Sequence, residues 1–159
     1  MFTELILILK LGFCENFLKG DLRGIFVDLV EPLGVFGLAG ESPFVLSVDE
    51  LRSLEGGMPV DLRPKVASYL RGGSVVIALM EYTRDVLGGS FTVPGGSGVL
   101  TDGTYFWRRD AADYIEAYGI ALDDVFVEHM EQAGWMVPEL PHERFLEIDA
   151  YLYSLLSGR

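Results

Sequence analysis

Thr101-Asp102-Gly103-Thr104-Tyr105-Phe106-Trp107, followed by Arg108-Arg109 and an acidic run over 110–118, has the pattern of a hairpin leading into an amphipathic helix. Asp102 and Gly103 tolerate positive φ and stand between apolar Val99-Leu100 and aromatic Tyr105-Phe106-Trp107. That pattern predicts an antiparallel hairpin with Asp102-Gly103 at its turn. Asp110, Asp113 and Glu116 then recur at helical spacing, so the hairpin runs straight into an amphipathic helix.

Working upstream, residues 74–80 form a nearly unbroken apolar run between glycines and read as a central buried strand. Residues 90–93 and 98–101 read as further strands. Leu62, Val66, Tyr69 and Leu70 mark one side of a helix over 61–71, and Ser47 with Glu50 forms a capping-box pattern opening a short helix that stops at Gly56. Residues 24–30 have strand composition, with Glu31-Pro32 ending it, and residues 2–18 show near-helical apolar spacing broken at Gly12. Downstream, Gly119 sits where a left-handed cap belongs, with Ile120 placed to touch Ile115. A second helix starts at Asp123, with Leu122 and Val127 as a hydrophobic staple, and ends at Gly134. Phe145, Ile148, Leu152 and Leu155 give the stripe of a third helix beginning near Pro141-His142. The sum is an α+β fold: a small, mainly antiparallel sheet packed with several helices, three of them consecutive at the C-terminal end.

The 159 residues are half apolar, which supports one sizeable core and a single domain over 1–159. Cys14 is the only cysteine, which excludes an internal disulfide and fits a reducing, cytoplasmic setting. The apolar start of the chain has Glu4 before it and Lys10 within it, so it reads as a buried element and not as a signal peptide or membrane span.

Net charge is −12 and unevenly spread: four basic against nine acidic side chains in residues 1–60, six against four in 61–109, and two against eleven in 110–159. A field of this sign repels nucleic acid and anionic lipid and attracts a basic protein surface. The expected partner is therefore a protein with a basic surface, with neither nucleic acid nor membrane as an alternative.

The inventory for catalysis is short. Cys14 with His129 or His142 is a conceivable thiol–imidazole pair, but a cysteine in an apolar segment is more often inert packing. Glu128-His129 and His142-Glu143 resemble fragments of a metal site without a second ligand at the required spacing. The glycine-rich stretch over 94–98 lacks the Gly-Lys-Ser/Thr ending of a phosphate loop. No enzyme, metal or cofactor is expected. The carboxylates of Asp110, Asp113 and Glu116 on one helix, and of Asp123, Asp124, Glu128 and Glu131 on the next, read as exposed acidic faces and as candidate partner-binding residues, with Arg108-Arg109 poised to dock onto the first of them.

Thr101-Asp102-Gly103, the aromatic pair ending in Trp107, Tyr114 and Tyr118 four apart, Leu122, Phe126 and His129 together resemble a domain recurrent in small bacterial proteins, several of which look like immunity proteins encoded beside polymorphic or contact-dependent toxins. The similarity covers about residues 61–130. Where that domain often has proline after the leucine, this chain has Asp123. The resemblance implies a binding module that neutralises a cognate toxin, with the aromatic positions as scaffold. A regulatory or interaction domain for another partner, and a small hydrolase, are the alternatives.

Overall fold

The computed structural model describes residues 30–32, 35–36 and 45–156. The helix expected over 2–18, most of the strand expected over 24–30, and Cys14 lie outside them. Helix α1 (Val48–Ser53) opens on the capping box read from the sequence: Ser47 Oγ accepts from Glu50 N–H, and the Glu50 carboxylate accepts from Ser47 N–H. It ends at Ser53, three residues before Gly56.

Helix α2 (Arg63–Arg71) has proline in its first turn and buries Val66, Ala67, Tyr69 and Leu70. The sheet follows, as β4 (Ser74–Ile77), β7 (Val99–Thr101) and β8 (Tyr105–Arg108), with β1 (Glu31–Pro32) completing the order β1-β8-β7-β4. The β7–β8 and β4–β7 pairs are antiparallel, and β1 joins β8 in parallel. Glu31-Pro32 thus belongs to a strand. A proline is compatible with this outer position, where one side of the strand lacks a ladder partner. Two smaller pairs accompany the sheet: β2 (Val35–Phe36) with β3 (Val45–Leu46), and the ribbon of β5 (Tyr82–Arg84) with β6 (Thr92–Pro94).

Two expectations change here. Residues 74–80 do not form a central strand: among the described residues β4 is the outer strand of the sheet, and Val75, Leu79 and Met80 are exposed. Its apolar run serves the faces of the sheet instead. A register shift between Val75 and Ile77 accompanies the packing of both Val76 and Ile77 against Ile148 and Leu152. The strand expected over 90–93 starts two residues later, as β6, and belongs to the separate ribbon with β5.

Helices α3 (Ala111–Tyr118), α4 (Asp124–Gln132) and α5 (His142–Leu156) close the chain, so the α+β reading with three C-terminal helices holds. Gly119 is left-handed at φ 61° and its N–H donates to Ile115 O. The sheet separates two apolar clusters because successive strand residues face opposite sides. Leu100 and Trp107 point to the side of α2, α3 and α4, where Tyr69, Tyr114, Ile115, Phe126 and Met130 are buried. Val99 and Phe106 point to the side of α5, against Ile148 and Leu152. Trp107 is fully buried and donates its indole N–H to Leu70 O, tying the hairpin to the end of α2.

The hairpin forms as expected, but its centre is shifted. Thr101 pairs with Phe106 and Asp102 N–H donates to Tyr105 O, so Gly103 and Thr104 are the central residues. Gly103 has φ 96°, and an added Cβ would lie 2.5 Å from Leu140 Cδ2. Gly103→Val should therefore destabilise by about 2–3 kcal/mol, through a backbone conformation that β-branched residues resist and a displaced Leu140. Urea denaturation checks this; a loss below about 0.5 kcal/mol would mean that the turn readily adopts another conformation.

Candidate functional site

The two acidic faces expected from helical spacing have different fates. On α3, Asp110 is buried, with Arg108 bonding its carboxylate at 3.0 Å through Nε and 2.5 Å through Nη2. Asp110 N–H also donates to Gly96 O, which brings the residue under the β5–β6 ribbon. Asp113 and Glu116 converge on Arg71 at the end of α2, at 3.1 and 2.7 Å. The hydrogen bond from Arg71 holds the Glu116 carboxyl below the usual carboxylate range. This face is consequently not the open acidic surface that the spacing suggested. Asp110 faces inward because it lies two residues after the end of β8, where its N–H is held by Gly96 O, and the other two acids are neutralised by an arginine from a neighbouring helix.

Burial outweighs the Arg108 bonds at Asp110 and pushes its carboxyl up to about 6. A carboxyl raised on folding contributes stability below its unfolded value near 4 and loses that contribution as pH climbs through 6. The stability difference between the wild type and Asp110→Asn should thus shift by about 2–3 kcal/mol against the wild type from pH 4 to pH 7. Parallel urea titrations across that range check it; a pH-independent difference would show that Arg108 fully offsets burial.

Helix α4 is different. Asp123 caps it, its Oδ1 accepting from Val125 N–H at 2.9 Å. Phe126 and Met130 are buried on the inner side. Asp124, Glu128 and Glu131 are exposed on the outer side, and Val125 stands among them at 55% exposure. Among the described residues no ion pair involves Asp123, Asp124, Glu128 or Glu131. Exposed Asp124, Glu128 and Glu131, with Asp123 at the cap, give a steering field, and exposed Val125 adds a small apolar contact at its edge.

Behind this face lies a polar cluster that the sequence reading did not anticipate. Asp102, expected as a central turn residue, has its side chain fully buried. Its Oδ1 accepts from Thr104 N–H and Tyr105 N–H at 2.8 and 2.7 Å. Its Oδ2 accepts from the Tyr69 hydroxyl at 2.7 Å and lies 2.8 Å from His129 Nε2. One carboxylate therefore joins α2, the hairpin and α4. Burial, followed by the Asp102 contact, raises the Tyr69 hydroxyl well above its ordinary value, so it stays protonated and donates.

An aspartate bonded to a histidine is also part of a catalytic triad, but here the same oxygen serves Tyr69, and no serine or cysteine hydrogen-bonds His129 among the described residues. The cluster fixes α4 against the hairpin. His129 lies beside Phe126 and Tyr105, as a half-buried helix position should. His142 is exposed at the start of α5, and no three His, Cys, Asp or Glu side chains gather as metal ligands among the described residues. No helix among the described residues is long and apolar enough to cross a membrane. No protein-family model, curated protein or solved structure matches the chain.

Proposed function

We propose that the chain is a non-catalytic, cytoplasmic binding module of the immunity type, which neutralises a cognate toxin carrying a basic surface. The observation that carries this reading is the outer face of α4, where Asp124, Glu128 and Glu131 lie exposed beside the Asp123 cap, flanked by exposed Val125, with no ion pair among the described residues to neutralise them. A stoichiometric inhibitor needs fast capture and slow release. The acidic field supplies the first, and a desolvated contact around Val125 contributes to the second. The face is held rigidly, since Phe126, Met130 and the Asp102–His129 contact fix α4 from behind. Little ordering cost then accompanies docking on the side of this protein.

The same charge mimics a nucleic acid backbone, so a nuclease toxin is the class of target best suited to this face. Co-expression with the proteins encoded beside its gene tests the reading. One of them should arrest growth alone and cease to do so in the presence of this chain. Harmless neighbours, or arrest that persists despite soluble chain, would refute it.

A further inference from the structure

Among the described residues, strand β4 ends the sheet order β1-β8-β7-β4. Outer strands present unpaired backbone donors and acceptors, and proteins ordinarily guard them with lysine, proline or a covering element. Ser74-Val75-Val76-Ile77 carries neither lysine nor proline, and Val75 is 46% exposed. Two cavities flank this strand on opposite faces of the sheet. One, of about 590 Å³, lies on the α5 side, with Ser74 on its rim and Leu140, Pro141 and Phe145 among its walls. The other, of about 320 Å³, lies on the α2 and α3 side, lined by Val75, Val93 and Leu100, with Arg71, Arg109 and Asp113 beside them.

We propose that the outer edge of β4 takes up an extended segment of a partner protein as an added strand, with aliphatic side chains on one face and acidic side chains on the other. Successive residues of a strand point to opposite faces, so an added strand would drop alternate side chains toward the two cavities. The chemistry of the cavities sets the pattern. On the α5 side Leu140, Pro141 and Phe145 give an aliphatic residue apolar surface, beside the polar Glu139 and His142. On the other side Arg71 is already neutralised by Asp113 and Glu116, whereas Arg109 is exposed and forms no ion pair among the described residues. A carboxylate above an aliphatic floor meets Arg109 there.

A second copy of the chain is the less suitable occupant. Residues 74–80 contain no acid to face Arg109, and a net charge of −12 opposes self-association. The surface uses none of the α4 carboxylates, so either site can fail without the other.

The probe is a capped, fluorescein-labelled peptide of four Val-Asp repeats, with four Val-Lys repeats as control. Anisotropy should register saturable binding of the Val-Asp peptide alone, and amide NMR shifts should centre on residues 74–77. Arg109→Glu and Val75→Lys, both at exposed side chains and each checked for folding by circular dichroism, should weaken binding by roughly tenfold or more. Asp124→Lys should leave the shifts over 74–77 in place. Absence of saturable binding, equal binding of the Val-Lys peptide, or binding indifferent to both edge substitutions would overturn the proposal. So would a dimer of the free chain that Val75→Lys dissociates, because a second copy would then cover the edge.

Discussion

Replacing Asp102 with alanine will lower the unfolding free energy by about 3–5 kcal/mol, a large share of the stability of a domain this size. The substitution removes one acceptor from the Thr104 and Tyr105 N–H groups and another from the Tyr69 hydroxyl, and it leaves His129 without its carboxylate. Tyr69 is buried, so its hydroxyl has little access to water as a substitute partner. A double-mutant cycle isolates the contact: Asp102→Ala should cost about 1–2 kcal/mol less in a Tyr69→Phe background, where no hydroxyl is left unsatisfied. Urea denaturation monitored by tryptophan fluorescence, from Trp107 and Trp135, provides the values. A loss under about 1 kcal/mol would mean that the cluster does not hold the hairpin to α2 and α4.

Asp102 also marks where the sequence was legible and where it was not. The hairpin could be read because Asp-Gly flanked by apolar and aromatic residues has few other outcomes, and Gly103 does take positive φ. The burial of Asp102 could not, because a turn aspartate looks the same in sequence whether its carboxylate faces water or three other elements. The signal available was Tyr69 and His129, each a polar residue on an otherwise apolar helix side in need of a partner. The capping box at Ser47 and the cap at Asp123 were legible for a related reason: both involve only residues two or three apart. The outer position of β4 was not, since an apolar run reports burial of faces and says nothing about which strand lies beyond.

The acidic faces divide along the same line. Helical spacing found α3 and α4 equally, because periodicity registers what lies on one helix. Arg71 comes from α2, more than forty positions before Asp113 and Glu116, and only the tertiary fold brings it to them. Four carboxylates, those of α4, therefore remain from the seven that the sequence singled out as a partner surface, and Asp123 among them is committed to the cap. Arg108 does dock onto Asp110, as their proximity suggested, but in a buried setting that lifts the carboxyl to about 6.

Reversing Asp124, Glu128 and Glu131 to lysine together should abolish protection of cells against the cognate toxin while leaving the fold intact. Each side chain is exposed and none is in an ion pair, so each substitution should change stability by no more than about 0.5 kcal/mol. Asp123 is left in place because its loss would uncap the helix. Glu116→Lys, set beside Glu128→Lys alone, is the matched control: it alters net charge equally on the neighbouring helix, but at a position already engaged by Arg71. It should slow capture far less than Glu128→Lys does, although it costs the Arg71 contact.

The association rate constant of the toxin with the wild type and with the triple reversal, measured by stopped flow over a range of ionic strength, tests the α4 face most directly. The reversal should slow association by about ten- to a thousandfold at low salt, and the gap should narrow as the Debye length falls to about 10 Å near 0.1 M salt. Equal rate constants for the two proteins at every ionic strength would show that the acids of α4 are solvated surface and that the toxin binds elsewhere.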